Sequence, residues 1–313
     1  MEHHVEQRSP AWFELKKKVA LTASHFGDAL GLGKGRSYDF LVSLVSDDDV
    51  FKKEINDIHT QYGNNMEATI CEVYELLTGA ETRLTGFWTT KSEHFSNNPV
   101  LGASPDAIVL NTDSSNYQLS QGCQKMIGLA EFKAPVYQMY CGTDLLQGIP
   151  RHYMAQIQGQ MFVTGAPWCD FLAVCVKTKE ILLKRVYFSQ LYWQKISLVL
   201  TQFCAILKEA KQRKKPHVPI NVTLDFQTAR NLKFVPQRKS LFTGEDQIKI
   251  ENLLQIERDT KNIIGPSKIK YTFEFLLGEE YEVPENLNDY AHSLLQEIDL
   301  QMKSESYIPQ ETS

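Results

Sequence analysis

The sequence lacks the features that mark several large classes of protein. Its six cysteines, among 313 residues, form no C-x-x-C pair, which argues against a disulfide framework or a zinc ribbon. Nowhere do about eighteen apolar residues run together, so no membrane span is predicted. Residues 1–10 are polar and contain no apolar stretch typical of a secretory signal. We therefore expect an intracellular protein, cytoplasmic or nuclear, that is neither secreted nor membrane-bound.

A net excess of positive charge is also missing. Lysine and arginine number 33 against 38 aspartates and glutamates, which gives a formal net charge of −5. This balance excludes a protein coated in basic charge, such as a histone. It leaves room for a local basic groove, because a phosphate-binding site needs only a few well-placed cations. Hydrophobic residues make up 42% of the chain and charged residues 23%, which is typical of globular proteins.

The pattern of apolar residues predicts helices, then strands, then a more polar extension. Helices are expected over 9–18, 37–45, 64–77, 136–148, 151–163 and 191–211, and strands over 82–90, 100–102, 107–110, 126–133, 168–177 and 181–188. The strands 100–102 and 107–110 are expected to pair as a hairpin. After residue 216 the composition becomes more polar, with helices predicted over 245–264 and 284–302 and a strand over 271–277. This order predicts a mixed α/β or α+β core over 1–216, followed by a mainly helical extension over 217–313.

Two carboxylates and a lysine are predicted to meet on neighbouring strands. Asp106 follows a proline at the start of one strand, and the strand 126–133 carries Glu131 and Lys133. Because side chains alternate along a strand, Glu131 and Lys133 point to one face and Phe132 to the other. If the two strands pair, Asp106 joins them, and such a group suits the binding of Mg²⁺ and the orientation of a hydrolytic water. A solvated strand face is the simpler alternative for an E-x-K triplet.

Further polar residues favour a site over a solvated face. Glu67 lies near the start of the predicted helix 64–77, where the helix dipole also stabilises an exposed carboxylate. The otherwise apolar helix 151–163 carries three glutamines within five residues. Gln156 and Gln160 are four residues apart and share a face, and Gln158 lies elsewhere. This clustering is unusual for plain packing.

An ordered set of short blocks resembles the lambda exonuclease and YqaJ-like viral recombinase family of the PD-(D/E)xK nuclease superfamily. The blocks are Leu21-Thr22-Ala23-Ser24, Tyr62-Gly63 followed by Glu67, Gly102-Ala103-Ser104-Pro105-Asp106, Glu131-Phe132-Lys133 and Tyr153-Met154-Ala155-Gln156-Ile157-Gln158. Their order and spacing are similar to the family's over about residues 8–200 of this chain. The resemblance implies a restriction-endonuclease-like core, with a central mixed sheet flanked by helices.

The resemblance also implies roles for the matching residues. Four groups would bind two Mg²⁺ or Mn²⁺ ions: Glu67, Asp106, Glu131 and the backbone carbonyl of Phe132. Lys133 would position or activate the attacking water, and Gln156 would help to hold the lysine or the scissile phosphate.

Contacts with DNA follow from the same resemblance. Ser24, in the block that includes Thr22, would contact a phosphate in a pocket that binds a 5′ end. The phage enzyme has an arginine before this block, and here the candidates are Lys16, Lys17 and Lys18. A lysine supplies a point charge without the bidentate fork of arginine, which weakens the match. His152 is a further candidate for a DNA contact.

The resulting hypothesis is a metal-dependent exonuclease that degrades one strand of linear duplex DNA, 5′ to 3′, in recombination, repair or viral genome processing. The resemblance implies a homotrimer. The alternatives are an endonuclease or single-strand-specific nuclease of the same superfamily, and a catalytically silent DNA-binding protein. For residues 217–313 three roles stay open: capping a ring, binding a partner such as a single-strand annealing protein, and blocking trimerisation.

Overall fold

The computed structural model describes residues 1–33, 35–45, 58–90, 99–110, 126–213, 233–235, 244–254 and 270–277. Its helices are α1 (Pro10–Lys18), α2 (Phe26–Ala29), α3 (Ser37–Val45), α4 (Ile58–Thr78), α5 (Arg151–Thr164), α6 (Gln190–Arg213) and α7 (Gly244–Leu253), with a 3₁₀ turn at Ala23–His25. α1 begins as its sequence predicts, because the Ser9 side chain accepts a hydrogen bond from the backbone N–H of Trp12. α5 ends at Gly165, whose φ of +79° suits a glycine C-cap.

The strands form one large mixed sheet and two smaller ones. In chain order they are β1 (Glu2–His3), β2 (Leu21–Thr22), β3 (Glu81–Leu84), β4 (Phe87–Thr89), β5 (Leu101–Ala103), β6 (Ala107–Leu110), β7 (Met126–Lys133), β8 (Leu145–Leu146), β9 (Ile149–Pro150), β10 (Trp168–Cys175), β11 (Glu180–Tyr187), β12 (Lys233–Val235) and β13 (Lys270–Leu277). Among the described residues, the large sheet has the order β12-β13-β11-β10-β7-β6-β3. The pairs β7–β10 and β11–β13 are parallel and the others antiparallel.

Helices cover both faces of the large sheet, so the molecule has the mixed α/β architecture predicted from the sequence. On one face, α5 and α6 pack on Leu129 and Phe171 in a cluster that includes the stacked rings of Phe162 and Trp193, 4.2 Å apart. On the other face, α4 packs on the alternate residues of the same strands, among them Phe132. The two faces follow from the alternation of side chains along each strand.

The predicted strand over 82–90 is two strands that belong to different sheets. β3 pairs with β6 in the large sheet, and β4 pairs with β1 and β5 in a separate sheet of order β1-β4-β5-β2. The chain changes sheet at Gly86, where a Cβ atom would collide with the backbone of His3 and Val5. The close approach of a second backbone requires a glycine there.

The predicted hairpin between 100–102 and 107–110 is also wrong. β5 pairs with β2 and β4, and β6 pairs with β3 and β7. Pro105 lies between β5 and β6 and holds the preceding residue in an extended conformation, so the chain continues into the next sheet and does not reverse.

A helix predicted over 136–148 does not form. This segment contains the short strand β8 and irregular backbone. Gly142 and Gly148 have φ values of +104° and +81°, a left-handed conformation that interrupts a right-handed helix.

The described part of the C-terminal extension joins the core. β13 lies parallel to β11 at residues 180–186, and β12 pairs with β13. Ile250 and Leu254, in and just after α7, are buried in the cluster beneath α4. The predicted helix 245–264 is described only as far as α7, and the predicted helix 284–302 lies outside the described residues.

The described cysteines form no disulfide with one another; they are Cys71, Cys141, Cys169, Cys175 and Cys204. Among the described helices, none has both the length and the apolar character needed to cross a lipid bilayer.

Candidate active site

Asp106, Glu131 and Lys133 meet at the end of two neighbouring strands, as the sequence predicted. β6 and β7 pair antiparallel with Ala107 opposite Ala130, which places Asp106 beside the end of β7. The Asp106 Oδ2 atom accepts a hydrogen bond of 2.7 Å from the backbone N–H of Phe132. Because the N–H and C=O of a strand residue point the same way, the carbonyl of Phe132 also faces the side of Asp106.

Glu131 is buried, and both of its carboxylate oxygens are hydrogen-bonded. Its Oε1 atom accepts from Gln156 Nε2 at 2.6 Å and from Lys133 Nζ, and its Oε2 atom accepts from Gln160 Nε2 at 2.7 Å. The side chain is 2% exposed, and a buried carboxylate is tolerated when its oxygens are paired in this way. Gln156 and Gln160, four residues apart on α5, thus hold the two oxygens of one carboxylate.

Gln158 points elsewhere, as its place on the helix predicts. Its Nε2 atom donates to the backbone carbonyl of Tyr187 at 3.0 Å, and its Oε1 atom accepts from the N–H of Ser189 at 2.8 Å. Gln158 therefore attaches α5 to the end of β11 and to the residues just after it. Neither of these two hydrogen bonds is to the group formed by Asp106, Glu131 and Lys133, which is the carboxylate centre.

Lys133 is held as a cation beside the carboxylates. Burial by itself lowers the pKa of the Lys133 ammonium group, but the Glu131 and Asp106 carboxylates outweigh burial and raise it. The Nζ atom also lies 5.1 Å from the centre of the Tyr153 ring, which adds a cation–π contact. Lys133 therefore stays protonated at neutral pH and acts as a donor of hydrogen bonds.

The centre carries an excess of negative charge. Burial, followed by the Glu131 and Glu67 carboxylates, raises the pKa of Asp106 well above its usual range, against the opposing effects of Lys133 and the Phe132 N–H. Like charges in a buried place disfavour ionisation. A divalent cation bound among these carboxylates would relieve the repulsion.

Glu67 faces the same centre from α4. The helix begins at Ile58, so Glu67 lies in its middle and not near its start, and the predicted stabilisation by the helix dipole does not apply. The Oε2 atom of Glu67 forms an ion pair with Arg8 Nη2, a partner that the sequence did not indicate.

A buried network on the other face of the sheet fixes the position of α4. Tyr74, two turns after Glu67, donates its O–H to Asp170 Oδ2 at 2.7 Å. Arg185 donates to both oxygens of Asp170, with Nε–Oδ1 and Nη2–Oδ2 distances of 2.8 Å. The Arg185 guanidinium also lies 3.6 Å from the centre of the Trp168 ring. This network attaches α4 to β10 and β11 and so sets where Glu67 stands.

The donors fit a hard divalent cation. Carboxylate and carbonyl oxygens are the ligands that Mg²⁺ and Mn²⁺ take, and the raised pKa of Asp106 marks a place where positive charge is favoured. Among the described residues, no group of three His, Cys, Asp or Glu side chains is already gathered closely enough to hold an ion. Glu67 is paired with Arg8, so full ligation by Glu67 requires that this ion pair open.

The predicted DNA-contact residues lie on the elements next to this centre. Trp12 on α1 donates its Nε1–H to Ser104 Oγ at 2.8 Å, which attaches α1 to the segment before Asp106. Lys16, Lys17 and Lys18 form the last turn of α1, where Lys16 lies 4.9 Å from the Trp12 ring and Lys17 pairs with Glu14 at 2.7 Å.

Ser24 and His152 lie where α2 meets α5. The hydroxyls of Thr22 and Ser24 are 3.1 Å apart, and Ser24 is exposed while Thr22 is buried. Gly27, on α2, lies so close to His152 that a Cβ atom there would collide with it. Ser24 and His152 therefore lie near the start of α5.

Together, the fold and the site define a mixed α/β protein with a buried acidic centre at the ends of two paired strands. The model of the YqaJ-like viral recombinase domain family matches residues 11–167, half of the chain. The chain belongs to this family, as the resemblance of the short blocks indicated.

The chain is also similar to solved structures. One is an alkaline exonuclease, LHK-Exo, from Laribacter hongkongensis, with 22% identity and a TM-score of 0.46 over 66% of this chain and 95% of that one. Another is LHK-Exo in complex with dAMP, with 21% identity, a TM-score of 0.46 and the same coverage. No match was found among the curated proteins.

Arg8 and the Asp170 network were missed by sequence reasoning, and Gln160 was noted without a role. The four-residue spacing from Gln156 was the available signal for Gln160. For Arg8 there was none, because it precedes the first helix and meets Glu67 across 59 residues of chain.

Proposed function

We propose that this protein is a metal-dependent deoxyribonuclease that degrades one strand of linear duplex DNA from its 5′ end. The observation that carries the proposal is the convergence of Asp106, Glu131 and Lys133 at paired strand ends, with Gln156 on the buried Glu131. Membership of the YqaJ-like viral recombinase family supports it.

The metal ligands in this proposal are Asp106, Glu131 and the carbonyl of Phe132, joined by Glu67. Two Mg²⁺ or Mn²⁺ ions, when bound, neutralise the charge of the phosphodiester and stabilise the entering and leaving oxygens of an in-line displacement. The protein's own contribution is to hold the oxygens that bind them. Gln156 and Gln160 fix the Glu131 carboxylate, and the Phe132 N–H fixes that of Asp106.

Lys133 positions the water that attacks the phosphorus. In this proposal the Lys133 ammonium group donates a hydrogen bond that orients the water or a phosphate oxygen. The Tyr153 ring and Glu131 hold its Nζ atom in place. Removing the ammonium group therefore leaves the carboxylates intact but the nucleophile without its orienting donor.

The DNA end is contacted by the exposed Ser24 with Thr22, by Lys16, Lys17 and Lys18 at the end of α1, and by His152 at the start of α5. The homotrimer and the annealing-protein partner are part of the same proposal. Light scattering at working concentration tests the trimer, and a monomeric mass would contradict it.

Digestion of a linear duplex labelled at either its 5′ or its 3′ end tests the activity and its direction together. The reactions contain Mg²⁺, Mn²⁺ or EDTA, and Asp106→Ala and Lys133→Ala are compared with the wild type. With either metal, we expect the wild type to release 5′-terminal mononucleotides early in the reaction. We expect no release in EDTA, and none from Asp106→Ala or Lys133→Ala. Glu72→Ala, which removes an exposed carboxylate from the same helix as Glu67, is the matched control and should cut as fast as the wild type.

The other outcomes separate the alternatives. Internal cuts, together with digestion of a closed circular plasmid, would indicate an endonuclease. Release from the 3′ end would reverse the proposed direction. A wild type that binds DNA without cutting it in either metal would contradict the nuclease and leave a DNA-binding protein.

A further inference from the structure

The segment before α1 forms a wall of the carboxylate centre. Gln7 donates its Nε2 hydrogens to the backbone carbonyls of Pro105, at 2.9 Å, and Thr85, at 3.0 Å. Pro105 immediately precedes Asp106. Residues that follow Gln7 are therefore held beside the strand end where the carboxylates meet.

Arg8 extends from this wall into the centre. Its guanidinium group forms an ion pair with Glu67, and the arginine side chain remains 47% exposed. A guanidinium group carries five N–H donors in a rigid fork, and the contact with Glu67 is made through Nη2. The cation thus lies at the boundary between the carboxylates and solvent, where a substrate would enter.

The backbone holds Arg8 in this place. Its φ is +67°, a left-handed conformation that is unfavourable for a residue with a side chain. Ser9 maintains it, because its N–H donates to the Glu6 carbonyl at 3.2 Å and its side chain caps α1. The turn thus holds the Arg8 side chain against Glu67 at the edge of the acidic centre.

We propose that Arg8 binds a phosphate of the DNA strand at the carboxylate centre. In the absence of metal and DNA, its guanidinium group is instead paired with the Glu67 carboxylate. The proposal rests on the proposed function. If Glu67 bound a metal ion, the Arg8 guanidinium would lose its carboxylate partner. A phosphodiester could take the place of that carboxylate, because it accepts the bidentate hydrogen bonds that a guanidinium group donates. Arg8 supplies the fork that Lys16, Lys17 and Lys18 lack. It precedes the family match, which begins at residue 11.

A merely structural Arg8 would behave differently from a phosphate-binding one. If the ion pair served to position Glu67 for the metal, loss of Arg8 would weaken metal binding in the absence of DNA. If Arg8 binds phosphate, its loss removes a competitor for Glu67, so metal binding stays the same or tightens while DNA binding weakens. Weaker metal binding therefore indicates a structural role, and unchanged or tighter metal binding with weaker DNA binding indicates a phosphate-binding role.

The test compares Arg8→Ala and Arg8→Lys with the wild type. Mn²⁺ binding is measured by calorimetry without DNA, and affinity for a 5′-phosphorylated duplex by fluorescence anisotropy with Ca²⁺, the DNA being checked for integrity on a gel. Arg36→Ala is the matched control, because Arg36 is an exposed arginine with a local ion pair to Asp39. For Arg8→Ala we expect unchanged or tighter Mn²⁺ binding and a loss of DNA affinity of about 10- to 100-fold.

Two further readouts sharpen the result. The slope of log K against log salt should fall by about 1 in Arg8→Ala, because one phosphate contact is lost, and stay unchanged in Arg36→Ala. Arg8→Lys, which keeps the charge but not the fork, should bind DNA between the wild type and Arg8→Ala. If Arg8→Ala fails to fold, Arg8→Lys decides alone, with weaker DNA binding at unchanged Mn²⁺ affinity as the expected result.

Weaker Mn²⁺ binding in the Arg8 variants, or unchanged DNA affinity and salt slope, would overturn the proposal. Its failure is distinguishable from failure of the proposed function. A wild type that cuts DNA while the Arg8 variants bind it normally removes the role of Arg8 alone. A wild type that does not cut DNA removes the nuclease.

Discussion

Glu131 and Asp170 are buried carboxylates on the neighbouring strands β7 and β10, but they lie on opposite faces of the sheet. Asp170 stands beside Ala130 in the parallel register, one residue out of phase with Glu131. Both are about 1% exposed. They differ in the residues around them. Glu131 belongs to the candidate active site, whereas Asp170 belongs to a network that holds α4 on the sheet.

The charge around Asp170 is balanced within its own network. One guanidinium group binds both of its oxygens, and the Tyr74 hydroxyl adds a third hydrogen bond. Burial would lower the pKa of Arg185, but the hydrogen bonds and the charge of Asp170 raise it, so the guanidinium group stays protonated beside Asp170. Such a pair needs no ligand.

The charge around Glu131 is not balanced. Two amides and one ammonium group bind its oxygens, while Asp106 adds a further carboxylate that has no cation of its own among the described residues. Glu67, which is paired with Arg8, lies near enough to contribute to the raised pKa of Asp106. A centre with this excess can take up a cation. The comparison therefore predicts that substitutions on the two faces have opposite consequences: loss of activity on one, loss of stability on the other.

Asp106→Asn should have the largest effect on activity, a loss of about 10³-fold or more, because a metal ligand is removed. Its stability in EDTA should equal or exceed that of the wild type. The raised pKa means that the ionised form destabilises the folded state, so the free energy of unfolding falls as the pH rises above the unfolded-chain pKa of about 4. Urea unfolding at pH 7, beside the end-labelled digestion, checks both. A clearly less stable Asp106→Asn would contradict the charge argument.

Asp170→Ala should have the largest effect on stability. It leaves the partly buried guanidinium of Arg185 without the carboxylate that binds it, which costs about 3 kcal/mol. Urea unfolding measures the loss, and the specific activity of the fraction that remains folded should fall far less than in Asp106→Asn. If Asp170→Ala proved as stable as the wild type, the Asp170 network would not be what attaches α4.

Two glutamines on α5 allow a second comparison, because Gln160 binds Glu131 and Gln158 binds backbone groups away from it. Gln160→Leu frees Glu131 Oε2 and should lower activity about 10- to 100-fold, as loss of a residue that orients a metal ligand does. Gln158→Leu removes the bonds to Tyr187 and Ser189 and should lower stability without lowering the rate per folded molecule. Rates normalised to the folded fraction distinguish the two. Equal rate losses in both would show that Gln160 does not act through Glu131.

Tyr74→Phe should have the smallest effect. It removes one hydrogen bond to Asp170, whose oxygens keep Arg185, so the free energy of unfolding should fall by about 1–2 kcal/mol. Because α4 carries Glu67, the Mn²⁺ concentration that gives half-maximal activity should rise slightly. An unchanged unfolding midpoint would mean that the Tyr74 hydroxyl adds nothing to the attachment of α4.

Local patterns in the sequence were enough to predict which side chains share a face of a strand or helix, and to indicate the family. The alternation of side chains along 126–133 placed Glu131 and Lys133 on one face, and the four-residue spacing of Gln156 and Gln160 placed them on one side of a helix. The order of the short blocks gave the family. Each of these features depends on neighbours within a few residues, where the geometry of a strand or helix is fixed.

Only the tertiary structure decided which distant residues meet. Strand pairing separated β5 from β6 and split 82–90 between two sheets. At Gly86 the cause is the backbone of His3 and Val5, which approaches from elsewhere in the chain. The same packing brought Arg8 onto Glu67 and Arg185 onto Asp170. Such ion pairs leave no local signal, since a charge is stabilised by whatever the fold sets beside it and not by its place in the sequence.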